Sequence, residues 1–184
     1  MIDTEKLKKA CTLILEAIGE NPEREGLQDT PRRFAEGWKE LCSGYEGDDK
    51  TLATAFDGES YDEMVVVKDI EFQSLCEHHL LPILGKVSVG YIPDKKIIGL
   101  SKIPRIVERV ARRLQNQERM TMQIADTLIK LLDPKGVAVK VSASHLCMQM
   151  RGVKKTTAKM DTSAVRGLFR NDPKTREEFF RMIG

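Results

Sequence analysis

Two short segments, far apart in the chain, contain all three of its histidines and two of its four cysteines. The first reads Cys76-Glu77-His78-His79, and the second reads His145-Leu146-Cys147. Thiolate and imidazole are preferred zinc ligands, and a Cys-x-x-His spacing lets one tight turn present both to a single ion. Residues two apart on a strand point to the same face, so His145 and Cys147 can enter one site together. We therefore predict one metal centre assembled from both segments, which requires a fold that joins them.

The number of ligands leaves two kinds of zinc site open. If Cys76, His79 and Cys147 bind the ion, a fourth position remains for water, as in catalytic sites, and zinc can lower the pKa of that water to about 7. The alternative is a closed structural site in which His145 or His78 is the fourth ligand. The two surplus histidines favour the catalytic site, because imidazoles suit general acid and base catalysis at neutral pH.

The composition is that of an ordinary globular protein, with 184 residues, 41% hydrophobic and 32% charged. Lysine and arginine (30) exceed aspartate and glutamate (28) by only two, so no whole-molecule basic field indicates a nucleic-acid partner. The start of the chain is charged, and no apolar run approaches the length of a membrane span. Four cysteines in a chain of this length do not indicate a disulfide framework. We expect a cytoplasmic protein without a membrane partner.

The N-terminal part is predicted to be helical. Apolar residues recur at helical spacing from Asp3 to about Ile18, and Thr30-Pro31 provides a cap and an N1 proline for a second helix. The predicted apolar stripes comprise Leu7, Cys11, Ile14 and Ile18, then Phe34, Trp38, Leu41 and Tyr45. Glycines and acids at 44–49 indicate a linker. We therefore divide the chain into a helical region, 1–50, and a second domain, 51–184.

The second domain has the element order ββααββ, which predicts an α+β fold with an antiparallel sheet. Strands are predicted at Met64–Leu75, Val87–Tyr91, Val137–Cys147 and between Lys155 and Val165, and helices from Ser101, from Gln117 and over Thr175–Ile183. We predict a turn over Leu80–Gly85. Leu114 is predicted to belong to the apolar stripe of the helix that begins near Ser101. A four-stranded sheet has two open edges, which are usually covered, charged or paired with another chain. This favours an oligomer.

Two further stretches are candidates for binding a nucleotide. Gly99-Leu100-Ser101-Lys102 leads into a helix with Arg105 one turn on, and free amides at a helix start favour an anion. Arg151 could extend the same anion site. Gln117-Glu118 could read a purine, because a carboxylate accepts hydrogen bonds from N1-H and the exocyclic amine of guanine. The alternatives are an exposed basic helix start and an ordinary first-turn helix acid.

At these residues the chain resembles the GTP cyclohydrolase I family. The matching motifs, in that family's order and spacing, are Cys76-Glu77-His78-His79 with Pro82, Gly99 to Lys102, Gln115 to Arg119, His145-Leu146-Cys147 and Met150-Arg151-Gly152. The resemblance runs from about Thr30 to the C-terminus. It implies a tunnelling fold, in which the sheets of several subunits join into a barrel, and a toroidal homodecamer with active sites at subunit interfaces.

The resemblance also implies roles for individual residues. The family converts GTP and water to formate and 7,8-dihydroneopterin triphosphate, the entry to folate and other pterins. Cys76, His79 and Cys147 would bind Zn²⁺, and His78 and His145 would be the acid and base residues. Gln117 and Glu118 would hold the guanine. Ser101, Lys102, Arg105 and Arg151 would hold the ribose and triphosphate. Asn116 departs from the pattern, because many relatives carry an aliphatic residue there.

Two other classes of function remain open on the sequence. The first is an enzyme of the same fold that acts on another pterin or a deazapurine, although such relatives would not be expected to combine both ligand segments with Gln117-Glu118. The second is a nonenzymatic, zinc-stabilised nucleotide-binding module. A zinc deaminase is disfavoured, because its Pro-Cys-x-x-Cys segment is absent.

Overall fold

The computed structural model describes residues 1–47, 55–57 and 61–184. The predicted boundary between residues 50 and 51 and the end of the predicted linker, 48–49, lie outside the described residues. The division into two domains therefore stays a prediction.

Two helices, α1 (Thr4–Ala17) and α2 (Thr30–Leu41), pack against each other at the N-terminus. Asp3 caps α1 by accepting a hydrogen bond from the amide of Lys6 at 3.0 Å, as predicted. The predicted stripe of α1 is only partly right. Cys11 and Leu15 are buried, whereas Ile14 and Ile18 are 51% and 69% exposed. The buried face of α1 therefore contains Cys11 and Leu15, which are four residues apart, and the predicted residues Ile14 and Ile18 face solvent.

The N-cap of α2 is Asp29, one residue before the predicted cap, so Thr30 already belongs to the helix. A 3₁₀ turn, Ser43–Tyr45, follows the helix and docks on the C-terminal end of the first central helix. The amide of Gly44 donates to the carbonyl of Arg112 at 2.9 Å. Tyr45 therefore lies beyond the stripe that was predicted for α2.

The main sheet has five strands and confirms the predicted α+β class and the order ββααββ. The strands within the described residues are β1 (Ala55–Asp57), β2 (Val65–Cys76), β3 (Pro82–Ile92), β4 (Lys96–Ile98), β5 (Leu114–Gln115), β6 (Gly136–His145) and β7 (Met160–Gly167). The remaining helices are α3 (Lys102–Ala111), α4 (Gln117–Leu132), α5 (Leu146–Gln149), α6 (Leu168–Asn171) and α7 (Pro173–Ile183). The sheet order is β5-β2-β3-β6-β7, and β1 pairs with β4 separately. The fifth strand was not predicted, because β5 has only two residues and pairs with β2 in parallel.

The two faces of the sheet are covered by different helices. Helices α3 and α4 pack on the face formed by alternate residues such as Val87 and Val139, with Ile106 and Ile124 fully buried between them. Helices α6 and α7 cover the opposite face near Ala138, through a T-shaped pair of Phe169 and Phe179 with ring centroids 5.8 Å apart. This packing holds the ends of β2, β3 and β6 in a fixed relation.

The predictions for Gly85 and Leu114 are wrong. Gly85 lies within β3 and not in a turn. A glycine is needed there because the backbones of β3 and β6 approach so closely that a Cβ would lie 2.3 Å from the carbonyl oxygen of Ser142. Helix α3 ends at Ala111, and Leu114 belongs to β5. After Arg112 and Arg113 the chain runs extended, and Leu114 and Gln115 pair with the end of β2.

The four cysteines are free thiols, in agreement with the prediction that the chain has no disulfide framework. Across the described ranges, no helix combines the length and the apolar character that a membrane crossing needs.

Candidate active site

The first ligand segment is a tight turn between β2 and β3. The amide of Cys76 donates to the carbonyl of Leu81, and the amide of Leu80 donates to the carbonyl of Cys76, both at 2.8 Å. Leu80 has a φ of 57°, in the left-handed region that costs an ordinary residue roughly 1–2 kcal/mol. This turn brings the Sγ atom of Cys76 within 3.7 Å of Nδ1 of His79. The predicted pairing of these two side chains on one turn is confirmed.

The second ligand segment, His145-Leu146-Cys147, also lies at the Cys76 turn, but its secondary structure differs from the prediction. Strand β6 ends at His145, so Cys147 lies in the one-turn helix α5 and not on a strand face shared with His145. The register pairs His145 with Ile83, near the start of β3, which puts α5 beside the Cys76 turn. As a result, the ligand atoms of Cys76, His79 and Cys147 all lie within 4.8 Å of one another.

The three side chains fit a metal ion in chemistry, and the separation of Cys76 and His79 also fits in size. Zinc bonds of about 2.3 Å to sulfur and about 2.0 Å to nitrogen separate ligand atoms by roughly 3.5–3.8 Å in a tetrahedron. The measured 3.7 Å between Cys76 and His79 falls in this range. Burial raises the pKa of the Cys147 thiol, and the nearby Cys76 thiol adds to the effect. A bound cation would reverse that effect, because it stabilises thiolates. These three residues could therefore hold a metal ion.

Neither of the other histidines joins this ligand group. His78 is 67% exposed, and its Nε2 lies 3.7 Å from Oε1 of Glu77. Both carboxylate oxygens of Glu77 face α4, where they accept hydrogen bonds from Asn116 and Arg119. The hydrogen bond from Arg119, followed by that from Asn116, lowers the pKa of Glu77. The geometry favours three protein ligands over a closed set of four.

His145 is held from behind by a buried amide. Its Nε2 lies 2.8 Å from Oε1 of Gln117, a side chain that is 1% exposed. The amide nitrogen of Gln117 donates to the carbonyl of Met160 at 2.8 Å and lies near the carbonyl of Val141 and the hydroxyl of Thr162. Since carbonyls only accept, the Gln117 oxygen must face His145 and accept from it. His145 therefore donates from Nε2, and its Nδ1 is the nitrogen that remains to accept a proton.

Burial also lowers the pKa of His145, and the nearby charge of Glu118 opposes that effect. Glu118 itself is exposed in the first turn of α4, directly after Gln117. The start of α4 thus presents one inward amide, which fixes a histidine, and one outward carboxylate. The predicted placement of Gln117 and Glu118 at a helix start is confirmed, while a contact of either residue with guanine stays a prediction.

The residues predicted on the phosphate side lie on two separate segments. Ser101 precedes α3 without a capping hydrogen bond from its side chain, and Lys102 and Arg105 follow in the first turns. Arg151 is exposed after α5. These positions agree with the predicted helix start and basic loop. Their joint binding of a triphosphate stays a prediction.

A cavity of about 580 Å³ lies elsewhere and does not mark the site. It is lined by residues of the sheet and of α3, among them Glu71, Lys86, Ser142 and Glu108, and by none of the three metal-ligand candidates. Its walls offer no convergent set of ligand atoms comparable with the Cys-His-Cys group. We therefore assign the candidate active site to the group at the end of β2.

Sequence reasoning missed the residues that support this site from behind. Arg119 and Thr162 contact Glu77 and Gln117, respectively, and nothing in their local sequence distinguishes them from ordinary surface residues. Asn116 was noted as a departure from the family pattern, but its contacts were not predicted. One available signal was its position before a helix, where asparagine is a preferred cap.

The chain is similar in sequence to several known proteins and, more distantly, in structure to others. Residues 7–184 match the sequence profile of the family described as GTP cyclohydrolase I. GTP cyclohydrolase 1 of Wolinella succinogenes is 58% identical over 178 residues, 96% of this chain and 95% of the relative. The enzyme of the same name from Pelotomaculum thermopropionicum is 54% identical over 184 residues, 100% of this chain and 98% of the relative. Among solved structures, E. coli dihydroneopterin aldolase in complex with neopterin is similar at 13% identity, with a TM-score of 0.43 over 57% of this chain and 99% of that chain. The extent of the profile match and the identity to these full-length relatives show that the chain belongs to the GTP cyclohydrolase I family.

Proposed function

We propose that this chain converts GTP and water to formate and 7,8-dihydroneopterin triphosphate, with Zn²⁺ held by Cys76, His79 and Cys147. The observation that carries the proposal is the three-ligand group beside a histidine whose proton position is set by Gln117. A structural zinc site would need a fourth protein ligand, whereas this geometry leaves His78 and His145 for proton transfer. The proposed reaction is the first step of pterin or tetrahydrofolate synthesis.

The chemistry requires a proton at N7 of the guanine, because C8 is a poor electrophile until N7 is protonated. Zinc, when bound, supplies a nucleophilic water at neutral pH by lowering its pKa. Nδ1 of His145 and the exposed imidazole of His78 are the groups that move protons to and from the ring. Two hydrolytic steps then open the imidazole ring and release formate, and the ribose rearranges and closes onto the freed amine.

The guanine is proposed to lie against the start of α4. The exposed carboxylate of Glu118 accepts hydrogen bonds from N1-H and the exocyclic amine. Gln117 contributes from inside, since its amide holds His145 next to the base. A carboxylate at this edge discriminates guanine from purines that lack the donor pair.

The ribose and triphosphate are proposed to lie between the start of α3 and the loop after α5. Ser101, Lys102 and Arg105 offer a hydroxyl and two cations at a helix N-terminus, and Arg151 adds a third cation. The positive end of the α3 dipole favours the same anion.

We further propose a homodecamer with active sites at subunit interfaces. Within the described ranges, β7 pairs only with β6, and β2 pairs along its outer side only with the two residues of β5. Such long open edges are normally covered or paired with another chain. The exposed apolar residues of α1, among them Leu13, Ile14 and Ile18, offer a second contact surface. A cytoplasmic location is proposed because the four free cysteines fit a reducing compartment.

The test is to incubate the zinc-loaded protein with GTP, to quantify formate, and to measure the fluorescent pterin that oxidation produces. We expect one formate per pterin. Binding of GTP without formate would instead favour the nucleotide-binding module. Turnover of another pterin or a deazapurine without any release of formate from GTP would favour the related enzyme on this fold.

A further inference from the structure

Asn116 makes two different hydrogen bonds with the two ends of one side-chain amide. As the N-cap of α4, its Oδ1 accepts from the backbone amide of Arg119 at 2.8 Å. Its Nδ2 donates to Oε1 of Glu77 at 2.9 Å. A serine or aspartate at this position could provide the first bond, but aspartate has no donor for the second and the serine hydroxyl is too short to reach Glu77. The second bond is therefore the informative one.

Glu77 is the residue between the metal-ligand candidate Cys76 and His78, so this bond ties the ligand turn to α4. The backbone amide of Glu77 donates to the carbonyl of Gln115 at 3.0 Å, next to the short pairing of β2 with β5. The second carboxylate oxygen pairs with Arg119. Arg119 in turn donates from Nε to Oε1 of Gln115 at 3.1 Å and from Nη2 to the carbonyl of Leu114 at 3.0 Å. The turn is thus attached to α4 through side chains as well as through the strand.

We propose that Asn116 is a positioning residue, which holds the Cys76–His79 turn in register with the first turn of α4 through its hydrogen bond to Glu77. The proposal rests on the metal and guanine roles proposed above. On that assignment, the Asn116 amide acts together with Arg119 to set the distance between the group that holds the metal and the carboxylate of Glu118 that holds the base. Asn116 itself contacts neither.

The outer part of the turn is exposed in this chain, so its position depends on the hydrogen bonds of Glu77 and on the pairing of β2 with β5. His78, His79 and Leu80 are all exposed, and Leu80 has a left-handed backbone. Removal of a group hydrogen-bonded to a metal ligand itself changes metal affinity or activity by about 10- to 100-fold; Asn116 acts one residue from Cys76, so we expect the lower end of that range. A displacement of about 1 Å in a reacting geometry can cost about 100-fold in rate. Loss of the Asn116–Glu77 bond therefore affects the metal site and catalysis together.

The decisive variant is Asn116→Ser, which keeps a helix cap but is too short to reach Glu77. We expect its melting temperature to stay close to wild type, because the cap survives. Transfer of Zn²⁺ to a chromophoric chelator should be about tenfold faster, and kcat for GTP should fall about tenfold with KM within about twofold. The KM for GTP is expected to change little because the substitution removes none of the side chains proposed to bind GTP. Asp3→Ser, the same kind of exchange at the cap of α1, is the matched control and should change neither quantity.

A double-mutant cycle with Glu77→Ala separates this bond from a general effect of mutation. Asn116→Ser should add little to the faster zinc release of Glu77→Ala, because the contact is already lost. Wild-type zinc release and kcat in Asn116→Ser, or effects that multiply in the double variant, would overturn the proposal. Zinc release is measured without GTP, so it tests the bond even if the wild-type protein releases no formate. A wild-type protein that releases no formate would refute the proposed function and leave the role of Asn116 to be decided by zinc release.

Discussion

Nε2 of His145 and Oε1 of Gln117 lie 2.8 Å apart, although 28 positions separate the two residues in the chain. The contact joins the end of β6 to the start of α4, and the other end of the Gln117 amide is fixed by the carbonyl of Met160 on β7. A buried amide with fixed partners holds a histidine in one tautomer and one orientation. The acid–base histidine of the proposed site is therefore positioned by three elements at once.

Replacing Gln117 with methionine tests this relationship, because the side chain keeps its length and loses both hydrogen-bonding ends. We expect kcat for formate release to fall roughly 10- to 100-fold, as His145 loses its orientation. Stability should also fall by about 1–3 kcal/mol, because buried carbonyls lose their donor. Kinetics and thermal unfolding, measured on the same preparation, report the two effects. Thr127→Val removes an internal hydroxyl bond of α4 to Gln123 and is the control; an equal loss of kcat in that variant would contradict the assignment.

His145 and Cys147 are two residues apart but are expected to behave oppositely on mutation. His145→Ala should abolish turnover while retaining one zinc per chain, because His145 is outside the ligand group. Cys147→Ser should lose most of its zinc, since one of the three proposed protein ligands is removed. Elemental analysis of the purified variants measures both. Stoichiometric loss of zinc from His145→Ala would show that the site is closed by His145.

Elements with strong periodicity were predictable, and the contacts between them were not. The capped helix α1 and the strand Val65–Cys76 follow from local patterns, which act over a few residues. Cys147 was predicted on a strand because alternation continues past His145, but the chain bends there into a one-turn helix that local sequence does not mark. Likewise, the ion pair of Glu77 with Arg119 depends on how β2 meets α4. The grouping of Cys76, His79 and Cys147 into a cluster that could hold a metal ion could be predicted, whereas the residues packed behind that cluster come from tertiary contacts.

Glu118 is predicted to determine the specificity of the enzyme for guanine. Glu118→Gln exchanges one acceptor oxygen for a donor, which opposes the N1-H and amine donors of guanine. We expect kcat/KM for GTP to fall by about 100-fold or more, because a mismatched polar pair is costly in a binding site. Inosine triphosphate lacks the amine, so the preference of the enzyme for GTP over inosine triphosphate should also shrink. Glu178→Gln on the exposed side of α7 is the charge-matched control. An unchanged preference in Glu118→Gln would refute the role of Glu118.

Asp172 is predicted to make the stability of the C-terminal helix depend on pH. Its carboxylate accepts from the amides of Lys174 and Thr175 and from the Thr175 hydroxyl, and these hydrogen bonds, that of the hydroxyl first, lower its pKa. The pKa of Asp172 in the folded protein lies below its value of about 3.9 in the unfolded chain. The carboxylate therefore contributes to stability above about pH 3.9, and this contribution is lost as the pH falls through the folded pKa. Asp172→Ala should lower the melting temperature by about 2–4 °C at pH 7.

The difference between Asp172→Ala and wild type should narrow below about pH 4, as the carboxylate takes up a proton. Calorimetric melting at several pH values measures it, with Asp172→Asn as the variant that keeps a cap without the charge. A difference that stays constant from pH 7 to acidic pH would contradict the assignment of the pH dependence to this carboxylate.

Gly85 and Gly37 are predicted to respond oppositely to the same substitution. A Cβ at Gly85 would lie 2.3 Å from the carbonyl oxygen of Ser142 and 2.6 Å from Cβ of Ala143, so β3 and β6 would have to separate beside His145. Gly85→Ala should therefore destabilise the protein by about 1–3 kcal/mol and weaken zinc retention, because the same strands hold α5 against the Cys76 turn. At Gly37, inside α2, a Cβ meets nothing within 4 Å, and alanine should stabilise the helix by up to about 1 kcal/mol. Denaturant unfolding and zinc content of both variants measure this contrast. A Gly85→Ala protein as stable as wild type would mean that the two strands do not approach as closely as described.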